Sequence, residues 1–132
     1  FIYRQNFKPS EQLDRPYVMA AMNLQAADTR EEADLMATSM MQTVLALARG
    51  APVKLQPPVE GFAERLGPHE RAAISRFMTY IALGNAEDVR DSLLKFKAET
   101  AADEIILSAQ IYDHKARLRA LEIAAEAMDA LA

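Results

Sequence analysis

The sequence predicts an α/β fold built on a parallel sheet, and three observations carry that prediction. Three times in 132 residues an apolar run stops at a helix-capping side chain and passes straight into an amphipathic helix. The runs are Tyr17 to Ala27 before Asp28, Thr79 to Gly84 before Asn85, and Glu104 to Tyr112 before Asp113. Each run is near-continuous rather than alternating, the pattern of parallel strands buried on both faces by helices. The chain also opens on Phe1 rather than Met, which points to a piece of something longer.

Residues 1–16 mix aromatic and charged side chains around Lys8-Pro9-Ser10 and Arg15-Pro16, and read as the tail of a helix followed by a loop. Pro16 suits the first position of a strand, where a missing donor does least harm. Residues 17–50 form the first strand and helix unit. Its helix is predicted from Thr29 to Arg49: Asp28 or Thr29 caps it, Glu31 and Glu32 occupy the first turn, and Ala33, Met36, Met40, Val44 and Leu47 follow before Gly50. Met36, Met40 and Met41 lie on or beside that stripe and read as core filling. Residues 51–78 are an excursion punctuated by Pro52, Pro57, Pro58, Gly61 and Gly67, longer than the usual helix-to-strand connection of about 2 to 6 residues. A short helix from Pro68 to Phe77 ends it. Residues 79–100 are the second unit, with a helix from Ala86 to Glu99 that buries Val89, Leu93 and Phe96. Residues 101–132 are the third, where Asp113 caps a helix whose predicted stripe is Leu118, Leu121, Ala125 and Met128.

Right-handed crossovers are expected to place all three helices on one face or ring. The units then belong to a barrel or to an open doubly wound sheet. Three strands complete neither, since a barrel takes eight and an open sheet about five or six. Both outer strands are left as bare edges, which predicts a homo-oligomer.

Half the residues are hydrophobic and about a quarter are charged, ordinary globular material for one domain. A net charge of -4 argues against nucleic acid, whose binding draws on clustered Lys and Arg. Lys115, Arg117 and Arg119 are too few and too spread to alter that. Without cysteine there is no disulfide framework, thiolate nucleophile or thiolate metal site. No apolar stretch approaches the roughly 20 residues of a membrane span, and no signal peptide is visible. The expected location is the cytoplasm.

The order of motifs then resembles a known family. It runs from Phe7-Lys8-Pro9-Ser10-Glu11-Gln12-Leu13 and Pro16-Tyr17-Val18-Met19 through Ala27-Asp28-Thr29-Arg30-Glu31-Glu32-Ala33. Gly84-Asn85-Ala86-Glu87-Asp88-Val89 and Ala102-Asp103-Glu104-Ile105-Ile106 follow, and Tyr112-Asp113-His114-Lys115-Ala116-Arg117-Leu118-Arg119 closes it. This succession, in order and spacing, resembles the C-terminal portion of the bacterial luciferase-like flavin-dependent monooxygenases and covers nearly all of the chain. The resemblance implies three β/α units of a TIM (β/α)8 barrel, an incomplete barrel in this chain, with the excursion before the seventh strand. It also implies reduced FMN or, in relatives, a deazaflavin. At Asn85-Ala86 the chain departs from the family's Gly-Ser/Thr-Pro-Glu pattern, keeping a capping side chain and losing the proline. The family's main flavin-phosphate segments lie upstream of this chain, so no cofactor is expected on it alone.

Active sites of TIM barrels lie at the C-terminal ends of the strands, which directs attention to Asn23, Gln25, Gly84, Asn85, Gln110, Tyr112 and His114. Gly84 and Asn85 could offer helix N-terminal donors to an anion such as the flavin phosphate; a turn with an N-cap is the preferred reading. His114 could act as acid or base or touch substrate; a solvent-facing first-turn histidine is preferred. Asp113 reads as a cap, His69 as a surface residue, and Glu31, Glu32, Glu87 and Asp88 as first-turn charges that favour the helix dipole. Two histidines without thiols give no metal-ligand spacing. No hydrolase elbow, dinucleotide fingerprint or phosphate-loop lysine motif is present. Two functions stay open: a segment of a flavin-dependent oxidoreductase, inactive alone and acting on an unspecified small molecule, or a non-catalytic module that binds itself or a partner.

Overall fold

A computed structural model describes residues 2–129; Phe1 and the last three residues of the 101–132 unit lie outside the described residues. The chain order is α1 (Ile2–Asn6), β1 (Met19–Ala26), α2 (Arg30–Ala48), α3 (Pro68–Phe77), β2 (Ile81–Gly84), α4 (Ala86–Thr100), β3 (Glu104–Ser108) and α5 (His114–Asp129), with single 3-10 turns at Ala63–Arg65 and Met78–Tyr80. All three strands are parallel. Val18 N donates to Asp103 Oδ2 at 2.8 Å, and the Tyr17 hydroxyl donates to Glu104. These bonds pin the entry to β1 beside the entry to β3. The bond to Glu104 also holds the Tyr17 phenol above its ordinary range.

Strand order departs from the expectation. Three consecutive barrel strands would lie in chain order with β2 in the middle, whereas the sheet runs β2-β1-β3. β1 is central, pairing Met19 to Asn23 with β3 and Asn23 to Ala26 with β2. The chain therefore moves one way from β1 to β2 and crosses back over β1 to reach β3. Right-handed crossovers in opposite directions put their helices on opposite faces, so the expectation of three helices on one face is also corrected. Alternate residues of a strand face opposite ways. On one face Met22, Leu24, Ala26 and Ala82 pack with Val89, Leu93 and Phe96 of α4 and Ala120, Ile123 and Ala124 of α5. On the other, Ile81 joins Met40, Val44 and Leu45 of α2 and Ile74 of α3. That second face is only half covered: beside β3, Met19 is 55% and Ile106 47% exposed.

Caps explain the helix starts. Thr29, not Asp28, caps α2, its hydroxyl accepting from Glu32 N at 3.2 Å. Asp113 Oδ1 accepts from Ala116 N at 2.8 Å at the start of α5. Two stripes differ from those predicted. In α2, Ala33, Met40 and Val44 are buried as predicted and Met36 is half-buried, but Leu47 is exposed and Ala37 and Leu45 join the buried side. In α5 the buried residues are Ala120, Ile123, Ala124 and Ala127, and the predicted stripe lies outside. α5 is apolar on two sides, and the side rich in alanine allows the closer approach to α4 and the sheet. The α4 stripe of Val89, Leu93 and Phe96 is buried as predicted. The excursion holds no strand among the described residues. It is tied to α2 where Gln42 Nε2 donates to Pro57 O at 2.9 Å and Val59 N donates to Thr38 Oγ1 at 2.9 Å.

Candidate functional site

The strands end together beside the N-termini of α2, α4 and α5, and the central strand supplies the most buried polar group there. Gln25, near the end of β1, is fully buried. Its Nε2 donates to Gln110 O at 3.0 Å. This bond joins two of the positions singled out from the sequence, because β1 and β3 are neighbours. Gln25 Oε1 and Ser39 Oγ are buried atoms without a protein partner among the described residues. In parallel β/α folds the active site lies at the C-terminal ends of the strands, and Gln25 and Gln110 stand at that end of β1 and β3. Asn23 is half-buried, while Ser108, Gln110, Tyr112 and His114 are exposed.

At the end of β2 the amides of Asn85, Glu87 and Asp88 are already occupied. Asn85 Oδ1 accepts from Glu87 N at 3.0 Å and Asp88 N at 3.1 Å, while Asp88 Oδ2 accepts from Asn85 N at 3.1 Å. This is a closed capping box. Gly84 is required by it: its φ is +134°, and a Cβ there would stand 2.1 Å from Asp88 Oδ2. With two carboxylates in the first turn and the donors spent on side chains of the same helix, Gly84 and Asn85 do not fit a phosphate dianion.

His114 is the first residue of α5, and its Nδ1 lies 2.9 Å from an Arg117 nitrogen. A guanidinium can only donate, so in this contact Nδ1 is the acceptor. Its neighbour in that bond, Arg117, lines a cavity of about 340 Å³ with Thr43, Leu55, Ala109, Gln110 and Ile111. A second cavity, of about 320 Å³, lies between the starts of α2 and α5 against Ala27, Leu35, Met36 and Ala116. Its rim is the pair between Arg119 and Asp28 at 2.8 Å. Hydrogen bonds to Asp28, and then to Glu122 and Glu126, hold the Arg119 guanidinium still further above its ordinary value. This pairing was not legible in the sequence, because Asp28 and Arg119 are far apart in the chain and Asp28 looks like a cap. His69 is exposed. Among the described residues no group of three His, Cys, Asp or Glu side chains could hold a metal ion, and no helix is long and apolar enough to cross a membrane.

No protein-family profile matches the chain. It is 37% identical over 130 residues to a protein named luciferase-like monooxygenase in Escherichia coli K12, an alignment that takes in 98% of this chain and 39% of the relative. It is 39% identical over 125 residues to YvbT of Bacillus subtilis, covering 95% of this chain and 37% of that protein. The chain thus spans about two fifths of the length of the curated relatives it matches. Among solved structures it is similar to the crystal structure of apo-MsnO8, with a TM-score of 0.72 at 23% identity over 96% of this chain and 39% of that one. That likeness is one of fold.

Proposed function

This chain is homologous over nearly its whole length to a portion of the luciferase-like monooxygenases, and from that kinship we propose that it forms part of a flavin-dependent oxidoreductase. One observation carries the reading: 37% identity sustained along 98% of the chain. The whole protein is then a cytoplasmic enzyme whose TIM barrel includes this chain as its C-terminal portion and which uses reduced FMN or a deazaflavin on a small molecule. In that barrel β1 and β3 are neighbouring strands, and β2, which pairs only with the last four residues of β1, is an added strand beside them. The closed cap at Asn85 supports a flavin-phosphate site elsewhere in the whole protein, so the chain by itself is inactive. The test is oxygen uptake with chemically reduced FMN. A protein extended to the length of the relatives is expected to accelerate it over free flavin, and the 132-residue chain is not. Acceleration by neither would contradict the reading.

A second reading, a non-catalytic module that associates with itself, is favoured by the half-bare sheet face at Met19 and Ile106.

A further inference from the structure

We infer that the outer face of α5 is a self-association surface that pairs antiparallel with α5 of a second copy of this chain. Leu118, Leu121, Ala125 and Met128 recur at the alternating three- and four-residue spacing that aligns side chains along one helical seam. The seam faces solvent: Leu118 is 47% exposed, and Leu121 and Met128 are each 42% exposed. The same helix buries a different side, Ala120, Ile123, Ala124 and Ala127, within its own domain. α5 therefore has two apolar sides, and the domain uses one.

Charge decides what fits the other side. The first half of α5 carries Lys115 and Arg117 and the second half ends on Asp129, while between them Arg119 is bound within its own chain to Asp28, Glu122 and Glu126. A helix dipole favours the reverse order. α2 begins with Glu31 and Glu32, and α4 begins with Glu87 and Asp88 and has Lys97 in its last turn. α5 has no acidic residue in its first turn and no basic residue in its last. Its own dipole opposes this order, whereas a second α5 running antiparallel complements it. Basic half meets acidic half, and the two dipoles oppose. The seam then sets Leu118 against the second copy's Met128 and Leu121 against the second copy's Ala125. A parallel arrangement would set like charges against one another along the whole length, and the bare sheet face at Met19 and Ile106 carries no comparable self-complementary charge. A helix of 16 residues is about 24 Å long. A seam of that length falls short of the roughly 1,600 Å² of a standard interface, so the dimer is weak and reversible.

The inference does not rest on the flavin reading, and its test uses no flavin. Sedimentation equilibrium of the purified chain between about 1 µM and 1 mM is expected to show a monomer–dimer equilibrium. Leu121→Glu should weaken it at least about tenfold, and Met19→Glu should leave it unchanged. K115E/R117E and E126K/D129K, each with the melting temperature of the parent chain, should dimerise poorly alone and form a one-to-one heterodimer when mixed. A monomer at every concentration, a dimer indifferent to Leu121→Glu, a dimer lost with Met19→Glu, or no heterodimer on mixing would each overturn the proposal.

Discussion

Asp28 and Thr29 stand side by side before α2, and geometry gives them different work. Thr29 receives the Glu32 amide, while Asp28 turns to Arg119 across the chain. Both are residue types that cap helices, so the sequence alone left the choice open; the choice is made by a guanidinium that only the fold brings near. Asn85 was easier to read, because its partner Asp88 lies three residues on in a capping box, a wholly local arrangement. His114 carries no such local signal, and it is exposed, with its Nδ1 beside Arg117. Thermal or urea melts should separate the two neighbours. Thr29→Ala is expected to cost about 0.5 to 2 kcal/mol as a lost cap. Asp28→Ala should cost less than Thr29→Ala, because its ion pair with Arg119 is open to solvent.

Strands and helices were legible as types and less so in their edges and faces. The run from Glu104 to Tyr112 contains a strand only to Ser108, because apolar continuity does not mark where ladder pairing stops. The first part of the Thr79 to Gly84 run belongs to a 3-10 turn, and the strand begins at Ile81. α4 has one apolar stripe, so its periodicity named the buried face. α5 has two, and periodicity could not rank them; packing against α4 selected the side with the smaller residues. The difference is measurable by truncation. Leu93→Ala on α4 should destabilise by about 2 to 5 kcal/mol, since Leu93 is almost fully buried. Leu121→Ala should change the stability of the monomer by no more than about 0.5 kcal/mol, and equality of the two would contradict the assignment of faces.

For the molecule as a whole, the sequence conveyed the parallel α/β class and the kinship, and it missed the strand order. A succession of strand and helix units is the same text whether each new strand is added at one edge or the chain returns across its first strand. Long-range pairing decides that, and here it places Asp103 and Glu104 beside Tyr17 and Val18. The consequence is a pair of adjacent strand ends, at Gln25 and Gln110, on the C-terminal side of the sheet. The proposal is that these strand ends belong to a flavin enzyme whose phosphate grip lies outside the chain. A titration of FMN fluorescence with the 132-residue chain, and in parallel with the protein extended to the length of its relatives, tests that claim most directly. Saturable quenching or enhancement is expected with the extended protein and none with the chain alone. Tight binding by the chain alone, or no binding by the extended protein, would contradict it.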